Sequence, residues 1–164
     1  MSEKITHPIA PVYDNNSKIL ILGSFPSVKS REYGFFYGHP QNRFWRVVAA
    51  VCGDEVPRTN DEKRAFLLRH KIALWDVIDS CEITGSADST IKNAVPTDIR
   101  GILAKSDITQ IFTNGKKADE LYQKYQEPAT GMKAICLPST SPANAAWHLD
   151  KLCDKWRSEM QVYL

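Results

Sequence analysis

Four short apolar segments alternate along this chain with longer segments of helical periodicity. They are residues 18–22, 72–78, 108–113 and 133–137, and no hairpin turn joins one to the next. Strands that are apolar throughout are typical of parallel sheets, which are covered on both faces. The sequence therefore predicts the α/β fold class, with a three-layer α/β/α sandwich around a central, mainly parallel four-stranded sheet.

The remaining segments complete this prediction. The spacing of apolar residues predicts helices over residues 42–53, 60–70, 96–103 and 115–125, and a final helix that follows Pro142 and ends near Met160. Residues 1–17 are interpreted as an irregular lead-in. Residues 23–41, rich in Gly, Pro and Ser, are interpreted as an irregular insertion of a length that is usually functional. With 164 residues, the chain is expected to form a single domain, residues 1–164.

Composition excludes several classes of protein. No apolar run approaches the roughly 20 residues that cross a bilayer, and the N-terminus lacks a signal-peptide pattern. We therefore expect a cytoplasmic protein without membrane contact, associated with the nucleoid if the host is bacterial. The four cysteines are widely spaced and include no C-x-x-C pair, so the common zinc modules are excluded and an iron–sulfur cluster is not expected. A formal net charge of +2 is too small to indicate nucleic-acid binding by itself.

The polar segments of the chain are predicted to meet at one edge of the sheet. Ligands of open parallel sheets bind beyond the carboxyl ends of the strands. The segments that follow the four predicted strands are residues 23–27, 76–81, 114–115 and 138–144. Each is rich in hydroxyl, amide or carboxyl groups, so this edge is the expected position of a functional site.

A stretch of twelve residues, 34–45, extends from the first of these segments. It contains five aromatic rings interleaved with His39, Gln41, Asn42 and Arg43. Rings that can stack on bases, amides that can read polar edges and an arginine for phosphate together indicate a nucleobase or nucleotide site. A loop whose aromatic rings only anchor it to the domain is the structural alternative.

Two other kinds of site are not supported. Residues 23–27 match neither the G-x-G-x-x-G fingerprint nor the P-loop, so the sequence does not predict a nucleotide cofactor. Ser139 and His148 could suggest a nucleophilic serine, but the chain lacks the G-x-S-x-G nucleophile elbow. A serine hydrolase is therefore a poor interpretation.

Taken in order, the motifs resemble the uracil-DNA glycosylase superfamily, and most closely its hypoxanthine-DNA (deoxyinosine) glycosylases. The motifs are Gly-Ser-Phe-Pro at 23–26, His-Pro-Gln-Asn-Arg-Phe-Trp at 39–45, Leu-Trp-Asp-Val at 74–77 with Ser-Cys-Glu at 80–82, and Ser-Pro-Ala-Asn-Ala at 141–145. The resemblance covers almost the whole chain. It implies a monofunctional DNA glycosylase that flips a damaged base out of DNA, needs no metal or cofactor, and acts as a monomer.

The chain departs from the superfamily pattern at three positions. Phe25 occupies the position of an Asp or Asn that usually orients water, Ser139 that of a His or Asn, and Ala143 that of a wedge leucine. Within the hypoxanthine branch the resemblance implies that Asn42 supplies the missing amide and is the catalytic residue. Because the sugar becomes oxocarbenium-like, the attacking water needs only orientation, which an amide oxygen can provide by accepting a hydrogen bond. Capping of the following helix is the alternative role for Asn42.

The resemblance and the position of the motifs define two further sets of candidate residues. Candidates for binding the base are Gly23, Ser24, Phe25, Tyr37, His39, Asp76, Ser80 and Asn114. Candidates for binding DNA are Arg43, Arg46, Ser139, Ser141, Pro142, Ala143 and Asn144, with residues 139–144 at a helix N-terminus that can hold phosphate. Structural alternatives are core packing for Tyr37, capping for Asp76 and Asn114, a simple helix start for 139–144, and a solvated helix face for the two arginines.

Hypoxanthine in deoxyinosine is the predicted target, bound within DNA as the partner. Two alternatives stay open at this point. One is a glycosylase for uracil or thymine mispaired with guanine, which would share the fold and the motif at 39–45. The other belongs to a different class: a module that binds nucleic acid or a nucleotide without cleaving anything, consistent with the replacements at Phe25 and Ala143.

Overall fold

The computed structural model describes residues 3–85 and 87–164. The predicted lead-in includes Met1 and Ser2, which lie outside the described residues. In the described ranges the strands are β1 (Glu3–Thr6), β2 (Ile19–Gly23), β3 (Ile72–Asp76), β4 (Ile78–Ile83), β5 (Lys92–Pro96), β6 (Gln110–Asn114) and β7 (Ala134–Leu137). The α-helices in the same ranges are α1 (Val28–Tyr33), α2 (Phe44–Cys52), α3 (Asn60–Arg69), α4 (Ile99–Ala104), α5 (Lys116–Tyr125), α6 (Glu127–Thr130) and α7 (Leu149–Met160).

A parallel sheet of four strands forms the centre of the molecule. Its strand order is β3-β2-β6-β7, and all three neighbouring pairs are parallel. Every residue of β2 is buried, because helices cover both faces of the sheet. Ile19 and Ile21 of β2 pack in one apolar core with α2, α3 and α7, whereas Leu20 and Leu22 pack in a second core with α4 and α5. The predicted fold class is therefore confirmed.

A second sheet was not predicted from the sequence. It is antiparallel, has the order β1-β4-β5, and continues from β3 at Val77. The prediction of one strand over residues 72–78 is wrong, because the pairing of β3 with β2 ends at Asp76 and Ile78 begins β4, which pairs antiparallel with β5. The prediction of an irregular lead-in is wrong for Glu3–Thr6, which pairs with β4.

The helices also differ from the predictions. Pro96, the predicted start of a helix, is the last residue of β5, and α4 begins only at Ile99. Helix α1 lies inside the predicted irregular insertion, with Ser27 as its N-cap and Gly34, at φ 71°, ending it in the left-handed conformation. Residues 138–148 form a loop, and α7 begins only at Leu149 with His148 as its N-cap. The predicted helix N-terminus at 139–144 is therefore wrong. In the described part of the chain, no helix has the length and apolar character needed to span a bilayer.

Candidate active site

A cleft of about 240 Å³ opens at the carboxyl edge of the parallel sheet. Its walls come from the segments that follow β2, β3, β6 and β7, as the topology predicts. The lining residues are Gly23, Ser24, Phe25, Pro26, Ser27, Ser30, Phe36, Tyr37, His39, Asn42, Asp76, Asn114, Ser139, Thr140, Ser141 and Pro142.

Gly23 is the last residue of β2 and lines the cleft. A Cβ atom at this position would lie 2.4 Å from Asp76 Oδ1 and 3.0 Å from the Tyr37 hydroxyl. Real Cβ atoms do not approach other atoms to 2.4 Å, so a side chain here would displace the Asp76 carboxylate. The glycine therefore brings β2, Asp76 and Tyr37 close together, which supports its predicted place in the base site.

The Asp76 carboxylate is held by His7, a residue that sequence reasoning missed. His7 Nε2 lies 2.8 Å from Asp76 Oδ2, and the two side chains are 1% and 5% exposed. His7 Nδ1 accepts from the Ile9 backbone N–H at 3.1 Å, so Nε2 carries the hydrogen and donates to Asp76. No local signal marks His7, because its partner is 69 residues away. This contact turns Oδ2 toward His7 and leaves Oδ1 for the cleft.

Thr140 joins Asn42 to Asn114 on the opposite wall. Asn42 Oδ1 accepts from the Phe44 backbone N–H at 3.0 Å and from Thr140 Oγ1 at 2.8 Å. Thr140, which is fully buried, also bonds Asn114 through its backbone N–H (3.1 Å) and its hydroxyl (3.0 Å). Asn42 therefore makes a capping-type bond at the start of α2 while lining the cleft. Its oxygen is already engaged twice, which differs from the expected role of accepting from water.

The ring of Tyr37 both packs in the core and lines the cleft. It stacks on Phe44 with the ring centroids 4.1 Å apart and the planes 17° apart. Its φ of 53° is unusual for a bulky residue and is a strained conformation of the kind found at functional sites. The two interpretations offered by the sequence therefore coexist, and stacking on a base stays a prediction.

Arg43 is predicted to contact DNA, but in the structure its guanidinium bonds to carbonyls inside the protein. It donates to the backbone carbonyls of Thr140 (3.4 Å), Ser141 (2.8 Å), Asn144 (3.3 Å) and Trp147. The side chain therefore fastens the 138–148 loop to the start of α2. Arg46, one turn further along α2, is exposed, and its contact with DNA stays a prediction.

The other predicted site residues divide into two groups. Ser24, Phe25, His39, Ser139, Ser141 and Pro142 line the cleft. Phe25 packs edge-on against His7 with the ring centroids 5.8 Å apart, and so shields the His7–Asp76 pair. Ser80, Ala143 and Asn144 do not line the cleft: Ser80 lies in β4, and Asn144 Nδ2 donates to Ser139 O within the loop. The prediction that Ser80 binds the base is therefore not supported by its position.

The two arginines of α2 give a matched pair of variants. Arg43→Gln leaves several loop carbonyls without a donor, so we expect the free energy of unfolding to fall by about 1–3 kcal/mol and base excision to fall with it. Arg46→Gln should leave stability unchanged, weaken DNA binding and reduce the slope of log K against log salt by about one. Thermal melts and salt titrations of both variants measure this. Equal stability of the two variants would contradict the role of Arg43 in holding the loop.

No group of three or more His, Cys, Asp or Glu side chains in residues 3–85 and 87–164 is placed to hold a metal ion. The cleft offers a fixed carboxylate, an oriented amide and a stacked ring. These groups suit one planar polar ring, which places the chain among proteins that bind a nucleobase.

Residues 10–161 match the family model of the uracil DNA glycosylase superfamily. The chain is 38% identical over 137 residues to a protein of Methanosarcina acetivorans named Hypoxanthine DNA glycosylase, covering 81% of this chain and 84% of the relative. It is 36% identical over 139 residues to a protein of the same name from Methanosarcina barkeri, covering 82% and 85%. A solution NMR structure from Methanosarcina acetivorans, assigned provisionally in its description to the uracil DNA glycosylases, superposes with a TM-score of 0.80 at 32% identity, covering 94% and 96%.

The chain belongs to the uracil-DNA glycosylase superfamily. The prediction from the ordered motifs is confirmed, and with it the predicted enzyme class, a DNA glycosylase.

Proposed function

We propose that this DNA glycosylase hydrolyses the N-glycosidic bond of hypoxanthine in DNA, with Asn42 as a catalytic residue and Asp76 as the residue that reads the base. The observation that carries the proposal is the Asp76 carboxylate in the wall of the cleft, held through Oδ2 by His7 Nε2 at 2.8 Å. The two curated relatives, both named Hypoxanthine DNA glycosylase, support the same substrate.

A carboxylate can only accept hydrogen bonds, and this property distinguishes hypoxanthine from the adenine that gives rise to it. Adenine carries a lone pair at N1, which would face the charge of Asp76 unfavourably. Deamination to hypoxanthine places a hydrogen on N1, and that N–H can donate to Asp76 Oδ1. A site built around one hydrogen bond rejects a base that cannot make it, because the buried acceptor would lose its partner.

The base must leave the duplex to reach this cleft, at a cost of a few kcal/mol. The Tyr37 ring, which lines the cleft, is suited to stacking on the flipped base, and such stacking contributes roughly 1–3 kcal/mol. Exposed Arg46, together with Ser139, Ser141, Pro142 and the exposed Ala143, forms the proposed DNA-binding rim. The protein is proposed to act as a cytoplasmic monomer consisting of one domain.

Oligonucleotides that each carry one hypoxanthine, xanthine, uracil or G·T mismatch test the substrate. Each is incubated with excess protein and treated with hot alkali, which cuts abasic sites. We expect cleavage largely confined to hypoxanthine, the base named for both curated relatives. Cleavage mainly at uracil or mispaired thymine would replace the proposed substrate. DNA binding without any cleavage would favour the binding module.

A further inference from the structure

We infer that Asn42 promotes base excision by donating hydrogen bonds from its amide nitrogen to the departing base, and that Thr140 and Asn114 are the positioning residues that fix it in this orientation. The inference rests on the proposed function of the same cleft, which must act as a glycosylase. It reverses the chemical role expected for Asn42, since an acceptor for water becomes a donor to the leaving group.

The hydrogen-bond partners determine which end of the Asn42 amide is the oxygen. The backbone N–H of Phe44 can only donate, and it lies 3.0 Å from the Asn42 atom assigned as Oδ1, so that atom is the oxygen. If the amide were reversed, Asn42 Nδ2 would face the Phe44 backbone N–H, and two hydrogen-bond donors would be in contact. The orientation of Asn42 is therefore set by the start of α2.

The same reasoning determines the direction of the bonds around Thr140. Its backbone N–H donates to Asn114 Oδ1 at 3.1 Å, which leaves Asn114 Nδ2 to donate to Thr140 Oγ1 at 3.0 Å. The hydroxyl has a single hydrogen, and this hydrogen is then directed to Asn42 Oδ1 at 2.8 Å. Asn114, Thr140 and Asn42 therefore form a chain of bonds with one consistent direction.

An amide oxygen has two lone pairs, and both lone pairs of Asn42 Oδ1 are occupied. What remains is the NH2 group of the amide. Within the described ranges, Asn42 Nδ2 has no hydrogen-bond partner, and the side chain lines the cleft. Because Thr140 is fully buried, water does not compete for the bond that holds the oxygen.

A donor at this place matches the charge that develops during the reaction. The N9–C1′ bond breaks and its electron pair leaves with the purine, so negative charge grows on acceptors such as O6, N7 and N3. Water bonds to C1′ through its oxygen and releases a proton, and the products are hypoxanthine with N9–H and an abasic sugar with a C1′ hydroxyl. Asn42 is unchanged. One oriented donor to developing negative charge contributes on the order of 10²–10³-fold in rate.

The decisive variant is Asn42→Asp, because it keeps an oxygen for Phe44 and Thr140 and replaces only the NH2 group. If Asn42 donates, this variant loses excision as fully as Asn42→Ala, on the order of 10²–10³-fold. If Asn42 orients water through its oxygen, the introduced carboxylate is at least as good an acceptor and excision is retained.

The pH dependence of the excision rate is a second way to distinguish donation by Asn42 from orientation of water by its oxygen. A carboxyl group that gains its proton becomes a donor, so we expect the rate of Asn42→Asp, divided by the wild-type rate at each pH, to rise as pH falls toward the ordinary carboxyl pKa of about 4. A water-orienting carboxylate would give a ratio that rises with pH. Dividing by the wild-type rate removes acid catalysis of the reaction itself.

The positioning role is tested with Thr140→Val, which removes the hydroxyl and keeps the shape, and Thr140→Ser, which restores it. We expect single-turnover excision to fall about tenfold in Thr140→Val, with unchanged DNA affinity, and to recover in Thr140→Ser, which corresponds to the net contribution of one hydrogen bond. Thr113→Val is the matched control: Thr113 is equally buried and donates to Asp119 Oδ1 at 2.8 Å, but its side chain does not line the cleft. Its excision rate should not change.

Retained excision in Asn42→Asp, with a rate ratio that rises with pH, would overturn the donor role. Equal losses in Thr140→Val and Thr113→Val would show a structural effect only and overturn the positioning role. The wild-type protein, assayed in parallel, separates these results from a failure of the proposed function. If it releases a base other than hypoxanthine, the variants are compared on that base, and if it releases none, the proposed function and this inference both fail.

Discussion

Asp76→Asn is expected to reduce excision of hypoxanthine on the order of 10²–10³-fold while the protein stays folded. The Ile9 backbone N–H donates to His7 Nδ1, so His7 Nε2 always presents a hydrogen to residue 76. The introduced amide must turn its oxygen to His7, and its NH2 group then takes the place of Oδ1 in the cleft. The base N1–H would meet a donor instead of an acceptor.

Asp76→Asn is also expected to change the selectivity of the cleft between hypoxanthine and adenine. An NH2 group facing the cleft can donate to the lone pair on adenine N1, so binding of oligonucleotides with a flipped or unpaired adenine should improve relative to hypoxanthine. Excision rates and competition binding with both bases measure this, with thermal melts as the check on folding. Undiminished hypoxanthine excision by Asp76→Asn would show that the base does not use this carboxylate.

Gly23→Ala is expected to combine the loss of excision with a loss of stability. The added methyl group would lie 2.4 Å from Asp76 Oδ1, so either the carboxylate or β2 must move. Overpacking of this kind costs about 1–3 kcal/mol of the free energy of unfolding. Since β2 is an inner strand of the parallel sheet and fully buried, the movement is expected to occur at Asp76. Excision should then fall at least a hundredfold, about 2.7 kcal/mol in the activation free energy.

A second substitution tests this explanation. The same methyl group would lie 3.0 Å from the Tyr37 hydroxyl, so Tyr37→Phe relieves one of the two close contacts and leaves the one with Asp76. In the double variant Gly23→Ala/Tyr37→Phe, part of the stability lost in Gly23→Ala should return, but excision of hypoxanthine should stay low. If excision recovered with stability, the displaced group would be Tyr37 and not the carboxylate.

The parallel sheet was predictable because its signal is local. Each central strand is a short apolar run, and these runs alternate with helices, which fixes a parallel, doubly covered sheet. The antiparallel sheet was not predictable in the same way, because β5 (KNAVP) is mostly exposed and β4 joins β3 with only Val77 between them. A run that continues through Val77 has the pattern of one strand, and only the tertiary contacts show the change of sheet.

The site, like the fold, was predictable where the signal lies in neighbouring residues and not where it depends on residues far away in the sequence. Motif order placed Gly23, Tyr37, Asn42 and Asp76 in one cleft, as the structure finds. The contacts that give these residues their chemistry were not predictable, because Thr140 lies 98 residues from Asn42 and His7 lies 69 residues from Asp76. Arg43 shows the converse: its position beside Asn42 suggested DNA, but its guanidinium is used by carbonyls about a hundred residues away.

Asn42 and Thr140 lie 98 residues apart in the sequence, and this distance affects when the active site forms during folding. Asn42 and Asp76 belong to the first half of the chain, but Asn42 Oδ1 gains its second hydrogen bond only when Thr140 and the loop held by Arg43 are in place. Contacts between residues far apart in sequence form late in folding, because the chain must first be closed into a large loop. A nascent chain whose 138–148 segment is still inside the ribosome therefore lacks the hydrogen bond from Thr140 to Asn42. We therefore expect full competence for base excision to appear only after this loop has been made and has folded.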